Sequence, residues 1–172
     1  MTDDYGFVAG RTAIDSLRKS GYKNVAYALG ELVDNSIQED ATNVEILTSE
    51  NQQLVGRAMR WRVKEIAILD NGNGMNAERL RRSLRLGDGD SQQNNDRGNA
   101  SKQMGKFGVG LPQASISQCK RVEIWSWTNG GRDTAMWTYV DLDEDEWVRN
   151  LRVPVPIPKS IPTKWIRAGR NW

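Results

Sequence analysis

Apolar side chains recur at Val25, Ala28, Leu29, Leu32, Val33 and Ile37, the spacing of a helix that packs one face on a core. The pattern predicts a helix over 23–38, preceded by another over 8–19. Glu31 and Asn35 lie four residues apart, on a polar stripe beside the apolar one. In an arbitrary helix such a stripe is a solvated face, so its meaning depends on the rest of the chain.

Further along, "NVEILTS" reads as β-structure, "ENQQLVGRAM" as turn-like, and the end of "WRVKEIAILD" alternates as a strand. "DNGNGM" is a Gly/Asn-rich loop, and Asn76 is placed to cap a helix through about residue 86. Residues 87–104, "GDGDSQQNNDRGNASKQM", are polar and nearly without apolar anchors; a loop of that length is usually functional or disordered. "GKFGVGLPQASISQ" predicts a glycine loop opening a short helix. "RVEIWSWT" and "DTAMWTYVDL" predict an antiparallel pair around "NGGR". The tail holds four of the five prolines and predicts an edge strand or crossover, with no closing element, leading into sequence beyond residue 172.

Composition narrows the function classes. A chain of 172 residues suits one domain, able to bury roughly 70% of its unfolded surface. The net charge of +2 is too small to argue for nucleic acid by itself. The arginines of "ERLRRSLRLG" read as a solvated helix face. No run approaches signal-peptide or membrane-span length, so no membrane partner is expected. The single cysteine, Cys119, points to a reducing intracellular compartment, the cytoplasm. The absence of histidine excludes Ser-His-Asp and Cys-His chemistry, His-ligated zinc and a phospho-accepting histidine within this chain. The seven tryptophans, among them Trp125, Trp127 and Trp137, are expected in the core of a twisted sheet rather than on a stacking platform for single strands.

Three separated pieces suggest one ligand. Asp70 ends a buried strand and offers lone pairs to an amino group, while Gly72 and Gly74 let a flat ring approach the backbone. Gly105, Gly108 and Gly110, spaced G-x-x-G-x-G before a helix, provide backbone N–H groups for phosphate. This is neither the dinucleotide fingerprint nor a Walker loop, since Phe107 follows Lys106. An asparagine amide plus phosphate oxygens suits Mg²⁺, and a glutamate one turn away can deprotonate a water that attacks a γ-phosphate. Together the polar stripe becomes the floor of an ATP site.

These boxes resemble those of the GHKL superfamily, which groups DNA gyrase, heat-shock chaperone, histidine kinase and MutL-type ATPases. "ELVDNS" is similar to its N-box, "DNGNGM" to its first glycine box and "GKFGVGLPQAS" to its second, over residues 31–115. The style is most similar to the MORC-like and chaperone-like branch. The resemblance implies an α+β fold, a two-layer α/β sandwich of the Bergerat type. Its sheet would be mixed and mostly antiparallel, with helices on one face. It implies Glu31 as general base and Asn35 as Mg²⁺ ligand. Asp70 would accept the adenine amino group, with Gly74 and Met75 against the ring. Gly105, Phe107, Gly108, Val109 and Gly110 would offer backbone to the phosphates, and 87–104 would be an ATP lid. Pro112 stands where several relatives carry a lysine, which leaves phosphate charge to Lys106 or Lys102. The later strand and second domain that complete related sites are not found in the sequence.

The leading expectation is an ATPase (a hydrolase) whose lid and homodimer contacts respond to Mg·ATP and act on a client protein or DNA. A non-hydrolysing nucleotide sensor is the alternative. A histidine-kinase catalytic domain fits less well, because such domains carry asparagine where this chain has Glu31.

Overall fold

The computed structural model describes residues 10–19, 21–85, 110–128, 131–144 and 153–168. Helix α1 is Gly10–Lys19 and α2 is Val25–Gln38. Asn24 starts α2: its Oδ1 accepts the Tyr27 N–H at 3.2 Å, satisfying one of the donors a helix start leaves open.

Strands β1 (Val44–Val55) and β2 (Ala58–Asp70) form a long antiparallel hairpin, in register from Val44↔Asp70 to Val55↔Ala58. The stretch "ENQQLVGRAM", expected as a turn, is therefore strand on both sides of a two-residue turn at Gly56 and Arg57. Gly56 supplies the positive φ (+64°) that a tight hairpin requires. This end of the hairpin was hidden in the sequence because residues 52–64 are all exposed, so burial imposes no alternation on them.

Helix α3 (Ala77–Ser83) is capped as expected, with the Arg79 N–H donating to Asn76 Oδ1 at 2.9 Å, but is shorter than predicted. Helix α4 (Gly110–Gln118) leads to β3 (Arg121–Ser126) and β4 (Met136–Asp141), an antiparallel pair as predicted. Strand β5 (Ile157–Pro158) lies on the outer edge of β4, and α5 (Thr163–Ala168) follows. The edge strand was expected; the closing helix was not.

The core sits where helices meet one face of β3–β4. Ile14, Leu84, Ile116, Val140, Leu142 and Val153 form its centre, with Leu111, Val122 and Ile124 against it. Every described strand pair is antiparallel, in a two-stranded sheet β1–β2 and a three-stranded sheet β3–β4–β5. This accords with the expected sandwich.

The tryptophans of β3 and β4 correct the core-packing expectation. Trp125 and Trp137 are cross-strand partners, as are Glu123 and Tyr139, and they alternate with Val122, Ile124, Thr138 and Val140. They therefore occupy the face opposite the core. Trp137 stacks on Tyr139 at 4.8 Å, and Lys159 Nζ stands 3.4 Å from the Trp137 ring centre. Arg121 sits 5.0 Å over Tyr139. The layer is held by cation–π and ion-pair contacts. Among the described residues no helix is long and apolar enough to cross a membrane.

Candidate functional site

Helix α2 delivers three polar side chains within two turns. Glu31 and Asn35 both approach the first turn of α4. A Cβ built on Gly110 would lie 3.5 Å from Glu31 Oε2 and 4.0 Å from Asn35 Nδ2. Side chains seventy-nine and seventy-five positions from Gly110 in sequence are thus brought to the start of α4, at ordinary contact distance from where a Cβ would lie. Asn35 Nδ2 is buried with no hydrogen-bond partner among the described residues. A buried amide left unpaired costs about 1–3 kcal/mol, so this side chain fits a bound group better than it fits its own surroundings. A half-turn of the amide presents its carbonyl oxygen instead, the ligand type that Mg²⁺ takes. Among the described residues no group of three or more acidic, cysteine or histidine side chains forms a metal cage. A Mg²⁺ ion held here would rely on phosphate oxygens beside Asn35.

Ser36, the next residue on α2, is buried and its hydroxyl lies 3.0 Å from Asp70 Oδ2. Asp70 Oδ1 accepts the Gly72 N–H at 3.0 Å. The carboxylate that ends β2 is thus held from both sides while still lining the cleft.

The loop after Asp70 is latched to the end of α2. The Asn71 side-chain oxygen accepts the N–H groups of Thr42 and Asn43 at 2.9 and 2.8 Å, and the Asn73 N–H donates to Glu39 O at 3.0 Å. Arg79 of α3 ion-pairs with Glu39. The expected solvated arginines of α3 are accordingly engaged: Arg81 Nε also donates to Val153 O at 3.0 Å. The two glycines have structural reasons of their own. A Cβ on Gly72 would meet Glu39 O at 2.8 Å, and one on Gly74 would meet Trp127 O at 1.8 Å, with φ at +69°. Met75 N–H donates to Ser126 Oγ at 2.7 Å, which ties the loop to the end of β3.

Glu31, Asn35, Asp70, Gly72, Gly74, Met75 and Gly110 all line one cleft of about 1530 Å³. That exceeds the usual ligand pocket of about 300–1,000 Å³, because the cleft continues between β2 and β3. Lys102, Gly105, Lys106, Phe107, Gly108 and Val109, with the lid segment 87–104, lie outside the described residues. Pro112 is buried in the first turn of α4, where a missing N–H is tolerated.

Sequence reasoning missed three residues. Ser36 stands inside the quoted "ELVDNS" box, and its small polar side chain on a packed helix was the available signal. Ser126 occupies an inward position of β3 that alternation otherwise fills with apolar residues. Burial and then the charge of Glu31 push the Tyr22 hydroxyl above its ordinary pKa.

No curated protein gives a match to this sequence. Residues 22–161, most of the chain, match the family described as histidine kinase-, DNA gyrase B-, and HSP90-like ATPase, and the protein belongs to that family of ATP-binding domains.

Proposed function

We propose that this protein binds ATP with Mg²⁺ in the cleft over α2 and hydrolyses it, Glu31 acting as general base. The observation that carries the reading is the convergence of Glu31 and the unpartnered Asn35 amide on Gly110, with Ser36, the residue after Asn35, in contact with Asp70. Adenine would be read through its amino group by Asp70, a carboxylate already oriented by Ser36 and the Gly72 N–H. The phosphates would then extend toward the start of α4, whose backbone N–H groups favour anions. Asn35 would hold Mg²⁺, which when bound neutralises phosphate charge.

In the reaction, the Glu31 carboxylate takes a proton from water as the water oxygen bonds to the γ-phosphorus. The bond to the β–γ bridging oxygen breaks, and ADP leaves with that electron pair. The resemblance to MORC-like and chaperone-like ATPases extends the reading to lid closure over 87–104, ATP-dependent homodimerisation and action on a client protein or DNA.

Calorimetric titration of Mg·ATP, paired with a phosphate-release assay, tests the assignment. The wild type should bind, Asp70→Asn should lose most of the affinity, and Glu31→Gln should bind while turnover falls by about 10²-fold or more. Turnover unchanged in Glu31→Gln overturns the base assignment. Binding without turnover in the wild type selects the nucleotide-sensing alternative instead.

A further inference from the structure

The outer half of the β1–β2 hairpin, apart from Val63 and Lys64 at its base, lies beyond the cleft that holds the nucleotide site. Six residue pairs, from Glu50↔Val63 to Val55↔Ala58, lie beyond the bulge at Ser49/Glu50. At about 3.4 Å per residue they make a ribbon roughly 20 Å long. Every residue of 52–64 is exposed.

Partners that face each other across the ladder share a side of the ribbon. Asn51↔Arg62 and Gln53↔Arg60 therefore lie on one face, and Gln53 Nε2 donates to Asn51 Oδ1 at 3.2 Å there. Leu54↔Met59, Gln52↔Trp61 and Glu50↔Val63 lie on the other. Residues 50–64, the ribbon with its bulge, contain Arg57, Arg60, Arg62 and Lys64 against one acidic residue, Glu50, so a net charge of +3 concentrates here in a chain of net charge +2. Among the described residues none of these four has a carboxylate partner, while the neighbouring Glu65 is taken by Lys164. The arginines of α3, by contrast, are engaged.

We propose that this ribbon is a duplex-DNA contact that enters the major groove with its Asn51–Gln53–Arg60–Arg62 face toward the bases. The groove is about 12 Å wide and 8.5 Å deep, and admits a two-stranded β-ribbon. Arginine pairs in bidentate fashion with guanine, and asparagine and glutamine with adenine, so this face carries a base-reading set of side chains. Arg57 at the tip and Lys64 at the bulge are placed for phosphates. An anionic membrane fits less well. A flat ribbon that buried Leu54, Met59 and Trp61 in lipid would turn Arg60 and Arg62 away from the headgroups, because the two faces are opposed.

The test is anisotropy of the full chain with a short labelled duplex of mixed sequence, across a salt series. The wild type should bind, with log K falling steeply against log salt. Arg57→Ala should flatten that slope by roughly 0.9 for its lost phosphate contact, while Arg60→Ala/Arg62→Ala should weaken binding by roughly tenfold or more with the slope retained; both should leave thermal stability unchanged. Arg60→Lys/Arg62→Lys should keep affinity for the mixed duplex and lose preference among duplex sequences, since lysine retains charge without the planar fork. No duplex binding by the wild type, or an alanine variant indistinguishable from it, overturns the proposal. So does binding to phosphatidylserine vesicles in place of duplex.

Discussion

Ser36 Oγ lies 3.0 Å from Asp70 Oδ2, joining the middle of α2 to the last residue of β2 across thirty-four positions of sequence. The same hydroxyl is 3.2 Å from Leu32 O, and with one proton it serves one of the two acceptors at a time. Asp70 is thereby positioned by a neighbour that offers no charge of its own. Ser36→Ala should cost about 1 kcal/mol of stability. It should weaken ATP binding about fivefold, provided Asp70 is the adenine acceptor. Chemical denaturation and calorimetry measure the two effects separately. An unchanged ATP affinity would remove Ser36 from the site.

Gly74 and Gly30 should respond to alanine with opposite signs. The Gly74 Cβ position lies 1.8 Å from Trp127 O at a φ of +69°, so Gly74→Ala must displace backbone and accept a strained conformation. A loss of about 3 kcal/mol is expected, large enough to disrupt the loop that holds Asp70. Gly30 lies inside α2 with nothing within 4 Å of its Cβ position, so Gly30→Ala should gain about 0.5–1 kcal/mol from helix propensity. Thermal unfolding of both variants decides the matter; a shift of the same sign in both would mean that the packing around Gly74 is misread.

Glu123 should make the outer face of β3–β4 sensitive to acid. Burial pushes its carboxyl up, but hydrogen bonds from Arg121 and Trp137, with the charges of Arg121 and Lys159, outweigh burial and hold it below its ordinary value of 4.5. A carboxyl lowered on folding adds stability that is fully present above the unfolded value and is lost as pH falls through the folded one. Glu123→Gln should therefore destabilise by about 1 kcal/mol at neutral pH. The gap from wild type should narrow below about pH 4.5. Denaturation midpoints of both proteins across that range give the comparison. A gap that stays constant with pH would show that the carboxylate charge is not what Arg121 and Trp137 stabilise.

Much of the site was legible in the sequence because local rules govern it. The i, i+4 relation of Glu31 and Asn35 is a property of one helix. Asn76 announced its own helix start, and Asp70 ended a run that alternates as a strand. Where solvent surrounds the chain the local signal failed. The outer hairpin showed no alternation because neither face of it is buried, and α5 is too short for its period to appear.

The sequence by itself determined the order of elements, the amphipathic helix and the polar groups available for nucleotide chemistry, since helical and strand periods are written in neighbouring residues. Tertiary structure alone decided which of those groups meet. Glu31 and Asn35 reach Gly110 only because α2 packs on α4, and Ser36 finds Asp70 only because β2 ends against α2. The side of the sheet that takes the tryptophans was decided the same way. Strand alternation defines two faces, and only the helices packed on Val122, Ile124 and Val140 make one of them the core.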